Sequence, residues 1–148
     1  MNIDLMFSSK DQTWETPQDF FDKVNKEFNF NLDVCAVPET AKCSKFFTPE
    51  NNALIQKWDG VCWMNPPYGR EIIKWIAKAY NESLNNNTIV CLIPARTDTK
   101  YWHNYCMKAK EIRLIKGRLK FGNASNSAPF IYHLNSFSLL PMWLMIRN

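Results

Sequence analysis

The apolar run Val61-Cys62-Trp63-Met64 leads directly into Asn65-Pro66-Pro67-Tyr68. Proline fixes φ and carries no N–H, so two in succession stiffen a loop that presents acceptors rather than donors. The Asn65 side-chain oxygen and the Pro66 carbonyl form a pair of acceptors, and Tyr68 adds a flat aromatic face. That combination suits a particular chemistry. An amino group on a heteroaromatic ring is a poor nucleophile, because its lone pair is delocalised into the ring. Acceptors aimed at its two N–H bonds return electron density to nitrogen. A base taken out of a duplex can stack on the tyrosine ring, worth about 1–3 kcal/mol, and such stacking needs the ring rather than the hydroxyl. With an activated methyl donor, a protein of this kind aligns the reactants instead of performing acid–base work.

Asn-Pro and Pro-Pro are also ordinary turn formers. The tetrapeptide alone leaves a turn and a catalytic loop about level, and the neighbouring elements decide for the loop. A buried strand is predicted over Val61–Met64, and a helix follows in which Ile72, Trp75, Ile76, Ala79 and Tyr80 recur at helical spacing. Ligands of open α/β sheets bind at the carboxyl ends of strands, where this loop falls. The same four residues would serve methylation of adenine N6, cytosine N4 or a glutamine amide.

The remaining elements alternate. Thr16-Pro17 reads as an N-cap and first helical residue, with Phe20, Phe21, Val24 and Phe28 forming the apolar face of a helix to Asn29. Phe30–Cys35 reads as a strand, Phe46-Phe47 as the start of another, and Ala53–Trp58 as a brief helix. Thr88–Ile93 is β-branched and apolar on both faces, the pattern of a buried parallel strand. Asp98 or Thr99 is placed to cap a helix through Met107. Glu111–Ile115 and Arg118–Phe121, joined around Gly117, read as two further strands. Alternating strands and helices predict an α/β fold with a mostly parallel sheet.

A chain of 148 residues, 46% apolar, is one domain with a single core to bury. No apolar run nears the ~20 residues of a membrane span, and Met1–Lys10 shows no secretory pattern. The five cysteines include no C-x-x-C pair, which predicts free thiols in a reducing cytosol. Residues 1–60 hold ten acids and six bases, whereas Arg96–Lys120 holds eight bases (Arg96, Lys100, Lys108, Lys110, Arg113, Lys116, Arg118, Lys120) against Asp98 and Glu111. A basic half suits a polyanionic partner.

Several segments together carry a resemblance. Trp14-Glu15-Thr16-Pro17-Gln18, Leu32-Asp33-Val34-Cys35-Ala36, Phe47-Thr48-Pro49-Glu50 and Trp63-Met64-Asn65-Pro66-Pro67-Tyr68-Gly69-Arg70 occur in order. Ile93-Pro94-Ala95-Arg96-Thr97-Asp98-Thr99, Lys116-Gly117-Arg118-Leu119-Lys120-Phe121 and Asn126-Ser127-Ala128-Pro129-Phe130 follow them. Over residues 8–130 the chain resembles the phage-type DNA N6-adenine methyltransferases. The resemblance implies a Rossmann-like domain that uses S-adenosyl-L-methionine to methylate adenine N6 in double-stranded DNA. It also implies a phage or prophage protein in the cytoplasm of a bacterial host, with no metal and no obligate protein partner. Asn65, Pro66, Pro67 and Tyr68 would be catalytic. Thr16 and Pro17 would touch the donor's amino-acid end, Asp33 its ammonium, and Glu50 its ribose hydroxyls. Arg96, Lys116, Arg118 and Lys120 would contact DNA.

The chain departs from the family pattern twice. The usual glycine-rich cofactor loop is missing, since the first glycine is Gly60, which leaves Cys35, Ala36 and backbone groups to build the donor site. After Phe130 the family's apolar core strand gives way to Ile131-Tyr132-His133-Leu134-Asn135 and a tail with Arg147 as its one charge. Residues 131–148 read as an atypical, out-of-register tail that leaves the C-terminal strand altered, and the two departures together make a catalytically inactive DNA-binding remnant the alternative to an enzyme.

Overall fold

In a computed structural model the chain is described over residues 15–122 and 132–138, with the backbone of 146–147. Six strands form one sheet in the order β1-β2-β3-β5-β4-β6, with β1 Leu32–Asp33, β2 Val61–Met64, β3 Thr88–Pro94, β4 Glu111–Leu114, β5 Tyr132–Phe137 and β6 Ile146–Arg147. β1, β2 and β3 pair in parallel, as do β4 and β6, and β5 runs antiparallel to both its neighbours. The sheet is therefore mostly parallel, as expected, with one reversed strand in its middle.

Strand parity divides the core. Cys62, Met64, Ile89, Cys91, Ile93 and Phe137 face one side and pack with Trp58, Trp75, Ile76, Ala79 and Trp102, which come largely from α2 (Ile72–Ser83) and α3 (Lys100–Asn104). Trp63, Val90, Leu92, Tyr132 and Leu134 face the other and pack with Phe21 and Val24 of α1 (Gln18–Phe28). Phe21 meets Trp63 edge-on at 5.4 Å. Ile89 to Ile93 are wholly buried, and each such aliphatic side chain contributes roughly 1.5–3 kcal/mol. At the amino edge Asn87 ties the layers together. Its Oδ1 accepts from Gly60 N at 2.8 Å, and its Nδ2 donates to the Trp58 and Glu82 carbonyls.

Some sequence expectations are corrected. Pro17, not Thr16, precedes the first helical residue, and no side chain caps α1. The strand expected over Phe30–Cys35 contracts to Leu32–Asp33 because Asp33 turns the chain back, and Phe46 makes only an isolated bridge to it. The helix expected over Ala53–Trp58 is a single 3-10 turn at Ala53–Ile55. Thr99 does cap α3, accepting from Trp102 N, but that helix ends at Asn104 before a 3-10 turn. Arg118–Phe121 is not a strand; its last residue instead buries its ring at the edge of the sheet.

The largest correction concerns the tail. Tyr132–Phe137 is a strand buried along its whole length, paired with β3 from Ile89↔Phe137 to Pro94↔Tyr132 and with β4 from Glu111↔Ser136 to Leu114↔His133. Its polar residues find core positions. Asn135 Nδ2 donates to the Cys106 carbonyl, and the His133 ring meets Trp102 edge-on at 4.8 Å. Burial pulls the His133 pKa down to about 4, so the imidazole sits in the core uncharged. Residues 131, 139–145 and 148 of the expected tail lie outside the described residues. A chain ending at Phe130 would expose the facing edges of β3 and β4. It is therefore expected to lose its cooperative thermal transition, followed by circular dichroism; a melting temperature near that of the full chain would contradict the role assigned to β5.

Candidate active site

Parallel pairing puts the carboxyl ends of β1, β2 and β3 along one edge, and the antiparallel β5 begins there with Tyr132. Asn65–Tyr68 follows β2 on this edge. The Asn65 amide is gripped from both sides: Nδ2 donates to Thr16 Oγ1 at 3.0 Å, and Oδ1 accepts from the Tyr68 hydroxyl at 2.5 Å. Thr16 is buried. The hydroxyl that would otherwise cap α1 is thus directed across the site.

The Tyr68 ring is half-buried between Phe121, with centroids 6.4 Å apart, and Tyr132, at 5.5 Å. Phe121 and Tyr132 also contact each other at 4.9 Å. Burial pushes the Tyr68 hydroxyl well above its ordinary pKa, so it remains a donor throughout the neutral range. Its hydroxyl has a structural partner that stacking alone does not require.

At the end of β1, Asp33 takes the place of a glycine-rich turn. Its Oδ1 accepts from Cys35 N at 3.1 Å and its Oδ2 from Lys42 N at 3.0 Å. Val34 N donates to the Trp63 carbonyl, while Asp33 N donates to the Lys45 carbonyl and the Asp33 carbonyl accepts from Phe47 N as the chain folds back. Burial raises the Asp33 pKa to about 6, against the lowering effect of those two N–H groups and of the Lys42 charge. The Lys42 ammonium reaches Glu15 Oε1 at 3.2 Å and Gln18 Oε1 at 3.0 Å. Glu15 also accepts from Gly122 N through its carbonyl. The segment before α1, the loop after β1 and the segment ending at Phe121 are thereby joined around Asn65.

The expected site residues separate into those drawn to this edge and those left apart. Thr16, Asp33, Cys35, Asn65 and Tyr68 come together; burial, and then the neighbouring Asp33 carboxylate, push the Cys35 thiol well above its ordinary value. Ala36 is buried, with its N–H on the Phe47 carbonyl, and Pro17 starts α1 through its own carbonyl. Pro66 is buried and Pro67 half-buried in the loop. Glu50 is exposed, and the Thr48 hydroxyl holds its carboxyl below the usual value, so nothing ties it to the Asn65 cluster. Arg96 is exposed beside Tyr101 and Tyr132, whose hydroxyls its charge influences. Lys116, Arg118 and Lys120 are exposed on the segment that leads to Phe121.

Arg113, one of the eight bases, is committed elsewhere: it is chelated by the carboxylates of Glu27 and Glu111 and lies over the Phe28 ring. Lys108 sits over Tyr80, 5.1 Å from the ring centre. Lys42, Phe121 and Tyr132 were not picked out as site residues by sequence reasoning. Phe121 closes a family-like segment, but Lys42 and Tyr132 carry no local signal. All five cysteines are free thiols, and no group of side chains among the described residues could hold a metal ion. No helix among them is long and apolar enough to cross a membrane.

The family model described as DNA N-6-adenine-methyltransferase (Dam) matches residues 4–143. The DNA N-6-adenine-methyltransferase of Haemophilus phage HP1 (strain HP1c1) is 40% identical over 122 residues, covering 78% of this chain and 69% of that protein. The DNA N-6-adenine-methyltransferase of Escherichia phage T1 is 32% identical over 109 residues, covering 72% of this chain and 45% of that longer protein. A putative methyltransferase of Escherichia coli (strain K12), YfdM, is 36% identical over 63 residues. These matches, on an α/β domain with an acceptor loop at its carboxyl edge, define a methyltransferase. The chain belongs to the DNA N-6-adenine-methyltransferase (Dam) family.

The hydrogen bond from Tyr68 separates ring from hydroxyl. Tyr68→Phe is expected to lower methyl transfer by roughly 3- to 10-fold, since a net hydrogen bond is worth about 0.5–1.5 kcal/mol. Tyr68→Ala removes the ring as well, with its contacts to Phe121 and Tyr132, and should lower it further. Initial rates on an adenine-containing duplex decide this, and a Tyr68→Phe rate equal to wild type would show the hydroxyl to be dispensable.

Proposed function

We propose that the chain transfers a methyl group from S-adenosyl-L-methionine to adenine N6 in double-stranded DNA, within a Rossmann-like domain in the cytoplasm of a bacterial host. The observation that carries the mechanism is the Asn65 amide, held at the sheet edge by Thr16 on one side and Tyr68 on the other. Asn65 Oδ1 and the Pro66 carbonyl accept from the target amine and keep its lone pair on nitrogen. A carboxamide oxygen can accept two hydrogen bonds, so the bond from Tyr68 is compatible with one from the amine. Tyr68 provides the ring on which the extruded base rests, with Phe121 and Tyr132 bracing it. Family membership favours adenine over cytosine N4.

The donor supplies a methyl group on a positively charged sulfur, already activated toward a nitrogen nucleophile. Asp33 fits its amino-acid end: a buried carboxylate with two backbone N–H partners retains lone pairs for an ammonium. Cys35 and Ala36 flank it, with Pro17 on the adjoining segment. Glu50 reaches the donor's ribose only if the 48–52 loop turns toward the site. Arg96, Lys116, Arg118 and Lys120 hold the DNA backbone, and their exposure at the Tyr68 edge supports that role.

The deciding experiment is mass spectrometry of nucleosides from DNA incubated with protein and donor. N6-methyladenine is expected from the wild-type chain and at least about 100-fold less from Asn65→Ala, with donor affinity nearly unchanged; Asp33→Asn should instead weaken donor binding in calorimetry. N4-methylcytosine, or donor binding lost on Asn65→Ala, would contradict the assignment.

Contacts to phosphates position DNA without reading its sequence, and they release condensed counterions. Reversing Lys116, Arg118 and Lys120 to Glu should weaken binding to all duplexes about equally and flatten the salt dependence. Fluorescence anisotropy at several ionic strengths measures both effects, and salt-insensitive binding would remove this surface from the interface.

A further inference from the structure

We propose that Thr16 is a positioning residue for Asn65, setting the plane and sense of its amide so that the oxygen faces the target amine. The proposal rests on the reading of Asn65 as the acceptor for that amine. It replaces the donor contact that the family resemblance implies for the Thr16 side chain with a different task.

The terminal torsion of an asparagine is broad and roughly two-fold, so an amide in a loop does not orient itself. Here the loop backbone is rigid at Pro66 and Pro67, but that rigidity stops short of the Asn65 carboxamide. The carboxamide is held by Thr16 Oγ1, 49 positions earlier in the chain, at 3.0 Å from Nδ2. Thr16 is only 3% exposed, so water does not compete well for its hydroxyl. With Nδ2 committed on that side, Oδ1 is turned toward Tyr68, the residue with the stacking ring.

Thr16 is itself held by both its neighbours in sequence. Glu15 is fixed by Gly122 N on its carbonyl and by Lys42 on its carboxylate, and Gln18 takes a second bond from the Lys42 ammonium. Pro17, with φ −54°, passes the chain into α1, where Phe21 N donates to its carbonyl. Four anchors on the three residues around it, Glu15, Pro17 and Gln18, make the Thr16 hydroxyl a fixed reference point. The Lys42 backbone N–H is meanwhile on Asp33 Oδ2, so the same loop supports both Asp33 and the acceptor amide.

The test compares wild type with Thr16→Val, which keeps the shape and removes the hydroxyl, and Thr16→Ser, which keeps the hydroxyl. Three quantities are read: the single-turnover rate on an adenine-containing duplex, the calorimetric affinity for S-adenosylmethionine, and the side-chain amide resonances of Asn65, identified by their loss in Asn65→Ala. Thr16→Val should slow methyl transfer by about 10- to 100-fold, as expected for a misaligned reacting group, and shift the Asn65 amide resonances. Donor affinity should stay within about twofold, and Thr16→Ser should restore the rate to within about threefold of wild type.

A loss of donor affinity matching the loss of rate would overturn the proposal in favour of a donor contact. Equal losses in the Val and Ser variants, or unmoved Asn65 resonances in Thr16→Val, would overturn it too. If Thr16→Val does not fold, Thr16→Ala is measured in its place with the same outcomes. A wild-type chain that transfers no methyl group would overturn the functional reading, while the resonance shift would still report whether Thr16 orients Asn65.

Discussion

A carboxylate taken out of water must be surrounded by hydrogen-bond donors, and the Asp33 side chain meets that demand with the main-chain N–H groups of Cys35 and Lys42. The rest of the site depends on this arrangement. It turns the chain sharply after a strand of only two residues, folding the segment through Phe47 back onto β1. It also sets down Lys42, whose ammonium fastens Glu15 and Gln18. Through Thr16, that segment fastens Asn65. A turn that glycines would make by conformational freedom is made here by a buried charge. The pKa of about 6 is the mark of the desolvation that remains after its two amide bonds.

The loop at Asn65–Tyr68 and the strand before it were legible because they are local. Apolar Val61–Met64 followed by two prolines marks a strand and a stiff loop whatever the remainder of the chain does. Thr88–Ile93 likewise reads as a central strand because Ile89–Ile93 are apolar on both faces and all buried, and no alternation is needed to identify it. Asp33 stood out as an acid at a strand end, but its role in reversing the chain did not, since Lys42 is nine positions away. The pairing of Thr16 with Asn65 was invisible for the same reason: no local pattern records a contact across 49 positions.

Strand β5 misled the reading for a different physical reason. Tyr-His-Leu-Asn-Ser-Phe mixes polarity on both parities, so hydropathy gives no buried face. The polarity is accommodated only in part: His133 is uncharged against Trp102 and Asn135 Nδ2 is bonded to the Cys106 carbonyl, while the His133 ring nitrogens and Asn135 Oδ1 are buried without a hydrogen-bond partner among the described residues. The basic stretch illustrates the converse error. Counted along the chain, Arg113 belongs with its cationic neighbours. In space it is the clamp between α1 and β4, with its charge spent on Glu27 and Glu111.

The position of β5 also bears on how the chain is made. A ribosome releases β3 first, then β4, and only later the strand that lies between them. β3 cannot find its lasting neighbour on that side by pairing with whatever emerges next. Both edges wait unpaired until Tyr132–Phe137 clears the exit tunnel. The nascent domain can collapse around β1, β2 and β3 early, but the middle of the sheet closes only with β5, and β6 is then added at the edge. Slow translation through residues 115–131 would prolong that interval, when chaperones have most to protect.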